Sequence, residues 1–402
     1  MRILIDHGDY YFRNIGDSAM LSIAVKRLTD IFPTARIFVV ARDGQALQNI
    51  CPTATPLSSE GKRALLQFPD LVHKPWRRFK KRFLARLRRF AGLKKDSSAR
   101  FFAAQIAASD LVVAAGGGYL CDEFSQYACS VLRLLALAKK MGRPVVMFGQ
   151  GIGPVTTRAL EAELAQTLPQ LDLICLREAE QGGEVLRRAG VHAGRSLVTG
   201  DDAIEIGYRA RQAVLGRNCG INIRSAAYSA AEPHVSTVSR TVTLFAEHNG
   251  LALEPLPVSR HSNEDDARTL ARVFAGRLSD FSGGAVIRTA DDLCRRISLC
   301  RVVVTGSYHA GVFALAQGIP VVALAGTSYY FGKFSGLAHQ FHGGVAVVDM
   351  SAAGLEESLT QALHQFWGNA EELRPALLQA AEQQVRAGLL AYKKVQNLVG
   401  RS

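Results

Sequence analysis

The chain reads as an α/β protein of two doubly wound, Rossmann-like domains facing each other across a cleft. Three observations predict this. Short apolar runs alternate with amphipathic helical stretches, the pattern of a parallel sheet covered on both faces. The alternation starts afresh after Gly200. At 402 residues, 48% of them apolar and 21% charged, the chain is long enough to bury two cores.

In the first half, strands are expected near Arg2–Asp6, Arg36–Val40, Leu111–Ala115, Pro144–Phe148, Leu171–Cys175 and Ser196–Val198. Helices are expected near Asp17–Ile31, Gln126–Met141, Thr156–Thr167 and Glu178–Ala189. In the second half, strands near Cys219–Ile223, Leu251–Pro255, Arg301–Thr305 and Val321–Leu324 alternate with helices near Ser236–Asn249, Glu264–Arg277, Ala290–Leu299 and after His309. The tail from Leu355 to Leu398 is helical in pattern, with Gly368 as the expected break. This divides the chain into an N-terminal α/β domain over 1–205, a C-terminal α/β domain over 206–350, and terminal helices over 351–402 that pack back on the first domain.

No run of eighteen apolar residues appears, so no bilayer span is expected. The opening Met1-Arg-Ile-Leu-Ile-Asp is polar too soon for a signal peptide and reads as a first strand. Seven cysteines are scattered without Cys-x-x-Cys spacing, which points to reduced thiols in a cytoplasmic protein and away from a disulfide framework or zinc site. No His/Asp/Cys cluster suggests a metal, and no cofactor is expected. The net charge of +13 sits mostly in one insertion: between Lys74 and Arg100 there are twelve Lys or Arg against one acid, Asp96. Trp76, Phe79, Phe83, Leu87 and Phe90 fall on one helical face of it. Such a face can pack on its own domain, meet nucleic acid, or lie on an anionic membrane; the last is the partner expected of 74–100, with peripheral attachment to the inner face, and nucleic acid is not.

The chemistry concentrates in Val304-Thr-Gly-Ser-Tyr-His-Ala-Gly-Val-Phe-Ala-Leu-Ala-Gln-Gly-Ile-Pro320, which reads as strand, small-residue turn, helix, Gly318 and the lead into a strand. A helix opening there leaves backbone N–H groups aimed one way, where an anion can sit. His309 on that turn is suited to clamp a phosphate or carboxylate, or to move a proton beside one. Four loops follow strands, where open parallel sheets place ligands. In His7–Asp17, Asn14 and Asp17 serve either as helix caps or as ligand contacts. Gly116, Gly117 and Gly118 serve either a tight turn or a close backbone approach. In Gly149-Gln-Gly-Ile-Gly-Pro154, Gln150 can donate to a sugar hydroxyl. Arg224 leaves a strand toward the cleft, where a guanidinium suits phosphate or carboxylate. Arg260, His261 and Lys333 add charge on what read as C-terminal-domain loops.

In this order the pieces resemble the polysaccharide pyruvyl transferase family. The matching elements are Asn14-Ile-Gly-Asp17, Gly116-Gly-Gly118, Gly149–Pro154, Arg177-Glu178, Asn222-Ile-Arg224, His309-Ala with Phe-Ala-Leu-Ala-Gln-Gly-Ile-Pro320, and Tyr330 with Lys333. The resemblance covers about residues 1–340. It implies a glycosyltransferase-B-like fold and transfer of pyruvate from phosphoenolpyruvate onto a sugar of a cell-surface or exopolysaccharide precursor, as a cyclic ketal. It assigns Arg224 and His309 to the donor pocket, with Ser307 and Tyr308 on the same turn. His309 is then the expected acid and Asp17 the expected base. Asn14, Gly116–Gly118 and Gln150 hold the acceptor glycan, which the basic insertion would reach if it is lipid-linked. The turn departs from the family pattern: many members carry Arg-Leu-His where this chain has Ser307-Tyr308-His309. Either Arg260 or Lys333 replaces the lost cation or the donor differs. Two other readings stay open: a nucleotide-sugar-dependent glycosyltransferase of the same architecture, and a non-catalytic glycan- or membrane-binding relative.

Overall fold

The structure, a computed structural model, describes residues 1–67 and 97–399. The basic insertion expected to meet a membrane lies outside the described residues, except that its last four residues open the helix Ser97–Ala108. Among the described residues no helix is long and apolar enough to cross a membrane.

Two parallel sheets form the two lobes. The first runs in the order β3 (Thr55–Ser58), β2 (Arg36–Ala41), β1 (Arg2–Asp6), β4 (Leu111–Ala114), β6 (Val145–Ile152), β7 (Leu173–Leu176), β8 (Ser196–Val198), with β5 (Gly117–Leu120) pairing beside β6. The second runs β10 (Leu253–Pro255), β9 (Asn218–Asn222), β13 (Cys300–Thr305), β14 (Val321–Ala325), β15 (Val345–Asp349). Strands such as Leu111–Ala114 are buried along their whole length, as a sheet covered on both faces requires. A short antiparallel hairpin, β11 (Arg260–His261) and β12 (Glu264–Asp265), stands apart from both sheets.

Register brings the functional loops together. Asp6 lies opposite Ala114, and Ala114 opposite Met147, so the loops after β1, β4 and β6 leave the first sheet side by side. Asn222 lies opposite Thr305, which sets Arg224 beside the 306–309 turn.

The lobes share one core. Ile15, Ala19, Met20 and Ile23 of the helix Ile15–Ile31 pack with Phe313, Leu315, Phe334 and Leu337 of the second lobe. Burying one such large side chain contributes about 1.5–3 kcal/mol. Backbone bonds cross the same seam: the Ile15 N–H donates to the Val258 carbonyl at 3.0 Å and the Arg260 N–H to the Arg13 carbonyl at 2.8 Å.

Two local expectations change. The C-terminal helix runs unbroken from Leu355 to Val399, through Gly368 and Pro375. A proline in a helix loses one ladder bond and crowds the preceding turn. Here packing outweighs that cost, because the helix buries Leu359, Leu363 and Phe366 on the second lobe and Ala391, Tyr392 and Val395 on the first. Lys333 is not on a loop: it sits inside the helix Ser328–Gln340. The Gly-Thr-Ser-Tyr-Tyr-Phe-Gly run carries no helical apolar period, so only its tertiary setting makes it helical.

Candidate functional site

The cleft-facing loop of the first lobe is organised by Asp9. Its carboxylate accepts from the N–H groups of Tyr11 at 3.0 Å, Arg13 at 2.6 Å and Asn14 at 2.8 Å. His261 reaches across from the second lobe, its Nε2 3.4 Å from the same carboxylate. Burial pushes Asp9 up, but His261 and the N–H groups of Asn14 and Tyr11 outweigh it and hold the carboxyl below its usual range. Asn14 spends its side-chain oxygen on the N–H groups of Gly16 and Asp17, so it caps the helix in the manner of its alternative reading. Asp17 follows, partly buried. Burial and the charge of Asp9 push its carboxyl up, while His309 and Lys333 pull the other way.

His309 opens the helix Tyr308–Ala316. Its ring lies against Gly16, where an added methyl would fall 2.0 Å from it, so only glycine at that position lets the two lobes meet. The His309 Nε2 stands 3.6 Å from the Asp201 carboxylate. Both atoms are buried and otherwise without a hydrogen-bond partner, which makes them each other's natural counterpart. Burial alone would raise Asp201, but His309 and Arg177 hold it below the usual carboxylate range.

The glycine loops make room for an arginine. A methyl on Gly151 would fall 2.4 Å from Arg177 Nε, and one on Gly118 would fall 2.9 Å from Arg177 Nη2 and 2.8 Å from Lys333 Nζ. Arg177 follows β7, is 2% exposed, covers the Tyr308 ring at 4.0 Å and lies 3.9 Å from Asp201. Lys333 donates to the Tyr329 hydroxyl, which itself donates to the Gly118 carbonyl across the seam at 3.2 Å. Burial, then the charge of Arg177, push the Lys333 ammonium down to about 7.

The sequence-predicted residues therefore divide. Asp17, His309, Tyr308, Lys333 and Gly118 meet at the seam, with Ser307 buried at the N-cap position of the His309 helix. Gly116 and Gly117 serve the fold there: a methyl on Gly116 would fall 2.0 Å from Met20 Cε, and one on Gly117 2.5 Å from the Tyr119 ring. Gln150 does not face the cleft. It is fully buried, and its amide donates to the Ala115 carbonyl at 2.7 Å and the Phe148 carbonyl at 3.1 Å, tying β6 to the end of β4. Arg260 turns away and donates to the carbonyls of Ala285 and Ile287, so it does not replace the cation absent at Ser307. Arg224 reaches the site but is held by Glu264 and Asp266, and donates to the Tyr228 hydroxyl at 2.7 Å. Two residues were given no role from sequence: Arg177 and Asp201. Each follows a strand at the carboxyl edge of the parallel sheet, and that position was the available signal.

Among the described residues no group of His, Cys, Asp and Glu could hold a metal ion. The arrangement offers an imidazole with a buried carboxylate behind it, a second carboxylate of raised affinity for protons, and two cations facing one glycine.

Two parallel-sheet lobes meeting at such a seam define a GT-B-like fold, and solved structures agree. A Listeria monocytogenes structure assigned as a UDP-N-acetylglucosamine 2-epimerase matches with TM-score 0.63 and 14% identity, over 100% of this chain and 97% of that one. A Rickettsia africae glycosyltransferase matches at 0.57 and 11%, over 99% and 98%. The UDP-GlcNAc 2-epimerase of Methanocaldococcus jannaschii matches at 0.56 and 11%, over 100% of both chains. No curated protein sequence matches significantly. Residues 14–328 match the family description Polysaccharide pyruvyl transferase, and the chain belongs to that family.

Proposed function

We propose that the protein transfers pyruvate from phosphoenolpyruvate onto a sugar of a polysaccharide precursor, closing a cyclic ketal. The observation that carries this is that the His309 ring of one lobe lies against Gly16 of the other, beside Asp17, whose carboxyl feels the charge of His309. Addition to an enol phosphate needs an acid for carbon and a base for the incoming hydroxyl, and the seam supplies both.

His309 delivers a proton to the donor's methylene carbon, which leaves the neighbouring carbon electrophilic. A sugar hydroxyl adds there and gives its proton to Asp17, whose raised proton affinity suits a base. A second hydroxyl of the same sugar then attacks that carbon. Its bond replaces the C–O bond to phosphate, its proton leaves with the phosphate, and the product is a methyl-bearing ketal with inorganic phosphate. Asp201 holds the His309 ring from behind, as a carboxylate does in other imidazole-based sites. Arg224, fixed by two carboxylates, positions the wall beside the turn. With His309 only 6% exposed, the lobes must part to admit the donor.

The test is phosphate release that depends on both phosphoenolpyruvate and a glycan acceptor. His309→Ala is expected to lower it on the order of 10²-fold or more. Normal turnover in that variant removes His309 from the chemistry. The fold also fits a nucleotide-sugar enzyme, since an Anabaena protein of TM-score 0.54 was solved with UDP. A protein stabilised against heat by UDP or GDP and not by phosphoenolpyruvate belongs to that second reading; lipid or glycan binding with no phosphate release from any donor marks a non-catalytic relative.

A further inference from the structure

We propose that Arg177 of the first lobe and Lys333 of the second form a clamp for the donor's anionic group, phosphate or carboxylate, at Gly118. The inference rests on the donor reading above and names the cations that such a donor meets.

The protein leaves charge uncompensated at this point. Arg177 Nη2 and Lys333 Nζ both lie within 3 Å of the single point where a Gly118 methyl would stand, at 2.9 and 2.8 Å. They are therefore no more than about 6 Å apart, a range in which like charges disfavour each other. Lys333 makes no ion pair among the described residues; its partner is a neutral hydroxyl, that of Tyr329. Among the described residues Arg177 has one carboxylate partner, Asp201, at 3.9 Å, and shares it with His309. The Arg177 Nε is buried and unpartnered. The neighbouring acids are committed elsewhere: Glu264 and Asp266 to Arg224, and Glu178 to the N–H groups of Gln181 and Gly182. Two cations brought together from different lobes without a matching carboxylate fit a doubly charged ligand.

The clamp has a consequence for closure. Because its halves belong to different lobes, an anion between them favours the closed cleft, in which His309 meets Gly16. Ser307, next to the Tyr308 ring that Arg177 covers, needs no cation of its own once Arg177 supplies one.

The experiment is calorimetric titration of the full chain with phosphoenolpyruvate and, separately, with UDP. Arg177→Gln and Lys333→Gln are each expected to weaken phosphoenolpyruvate binding at least about tenfold, the scale of one charge-assisted hydrogen bond. Gly118→Ala tests the place without removing a charge, since its methyl pushes both flexible side-chain ends apart; it should weaken binding comparably with an unchanged unfolding temperature, which separates lost binding from lost folding. Lys333 faces Arg177, Arg224, Asp17, Cys121, Tyr329 and Tyr330. With its ammonium pushed down to about 7, wild-type affinity should fall as pH rises through neutrality relative to Lys333→Arg, which keeps its charge. Wild-type binding of phosphoenolpyruvate that all three uncharged or blocked variants retain in full overturns the clamp and leaves the donor reading standing. Wild-type binding of UDP alone ends the donor reading, and the same variants then judge the clamp on UDP. A wild-type protein that binds neither ligand overturns both.

Discussion

Arg224 and Arg177 are both buried, both follow a strand at the carboxyl edge of a parallel sheet, and both approach the same seam, yet their surroundings differ. Arg224 meets Glu264 and Asp266 and hydrogen-bonds Tyr228, so its charge is answered within its own lobe. Arg177 meets an aromatic face, two glycines, a lysine, and one carboxylate at 3.9 Å that also serves His309. The Arg224 guanidinium is matched by two carboxylates, whereas that of Arg177 faces another cation. Proximity to a cleft does not identify a ligand-binding arginine until its counter-charges are counted.

The largest effect is expected at Asp266. This carboxylate is fully buried and accepts from Arg224 at 3.3 Å, Asn222 at 3.0 Å, and the N–H groups of Val258 and Ser259 at 2.9 Å. Asp266→Asn puts donors against donors and leaves Arg224 short of a charge. The expected cost is about 3–5 kcal/mol of stability, the usual price of breaking a buried pair from one side. Urea unfolding measures it, and a variant within about 1 kcal/mol of wild type would mean that Arg224 is less tightly bound than the geometry implies.

Asp201→Asn sharpens the other half. Its effect should appear in turnover, because the carboxylate holds His309 and faces Arg177 without anchoring a strand. We expect kcat to fall on the order of tenfold to 10²-fold, with KM for the donor changed by less than about threefold, the signature of an interaction felt mainly in the transition state. A raised KM with unchanged kcat would instead make Asp201 a partner of donor binding through Arg177.

The fold was legible because its signals are local and repeated. The apolar run Leu111–Ala114 and the restart of alternation after Gly200 each need only strand length and periodicity. Part of the site was legible for the same reason: the 304–320 stretch announces a strand, a turn and a helix, and His309 is the histidine on that turn. What escaped depends on pairs distant in sequence. Gln150 sits within a glycine-rich run, but its amide turns inward because β6 lies beside β4, a neighbour set by topology. Arg260 is as cationic as Lys333, yet only the backbone bond to Arg13 and the carbonyls near 285 and 287 show that it faces the other way. Arg177 was visible as a matching residue, while its role emerges only with Gly118, Gly151 and Lys333 around it.

The smallest expected effect concerns the remaining cross-lobe contact, between His261 and Asp9. Its hydrogen bond and charge interaction with Asp9 raise the His261 pKa above the ordinary value, against a smaller opposing effect of burial. A histidine whose folded value is raised contributes stability that is fully present below its unfolded value, about 6.5, and is lost as pH rises through the folded one. With His261 36% exposed, solvent screening keeps the pair below about 1 kcal/mol. His261→Ala should therefore lower the unfolding temperature by about 1–2 °C near pH 6 and leave it unchanged near pH 9. An equal loss at both values would assign the contact to packing. A loss confined to the acidic side, with donor affinity intact, would separate this charge pair, which holds the lobes together, from the Arg177–Lys333 pair, whose charges face the same glycine.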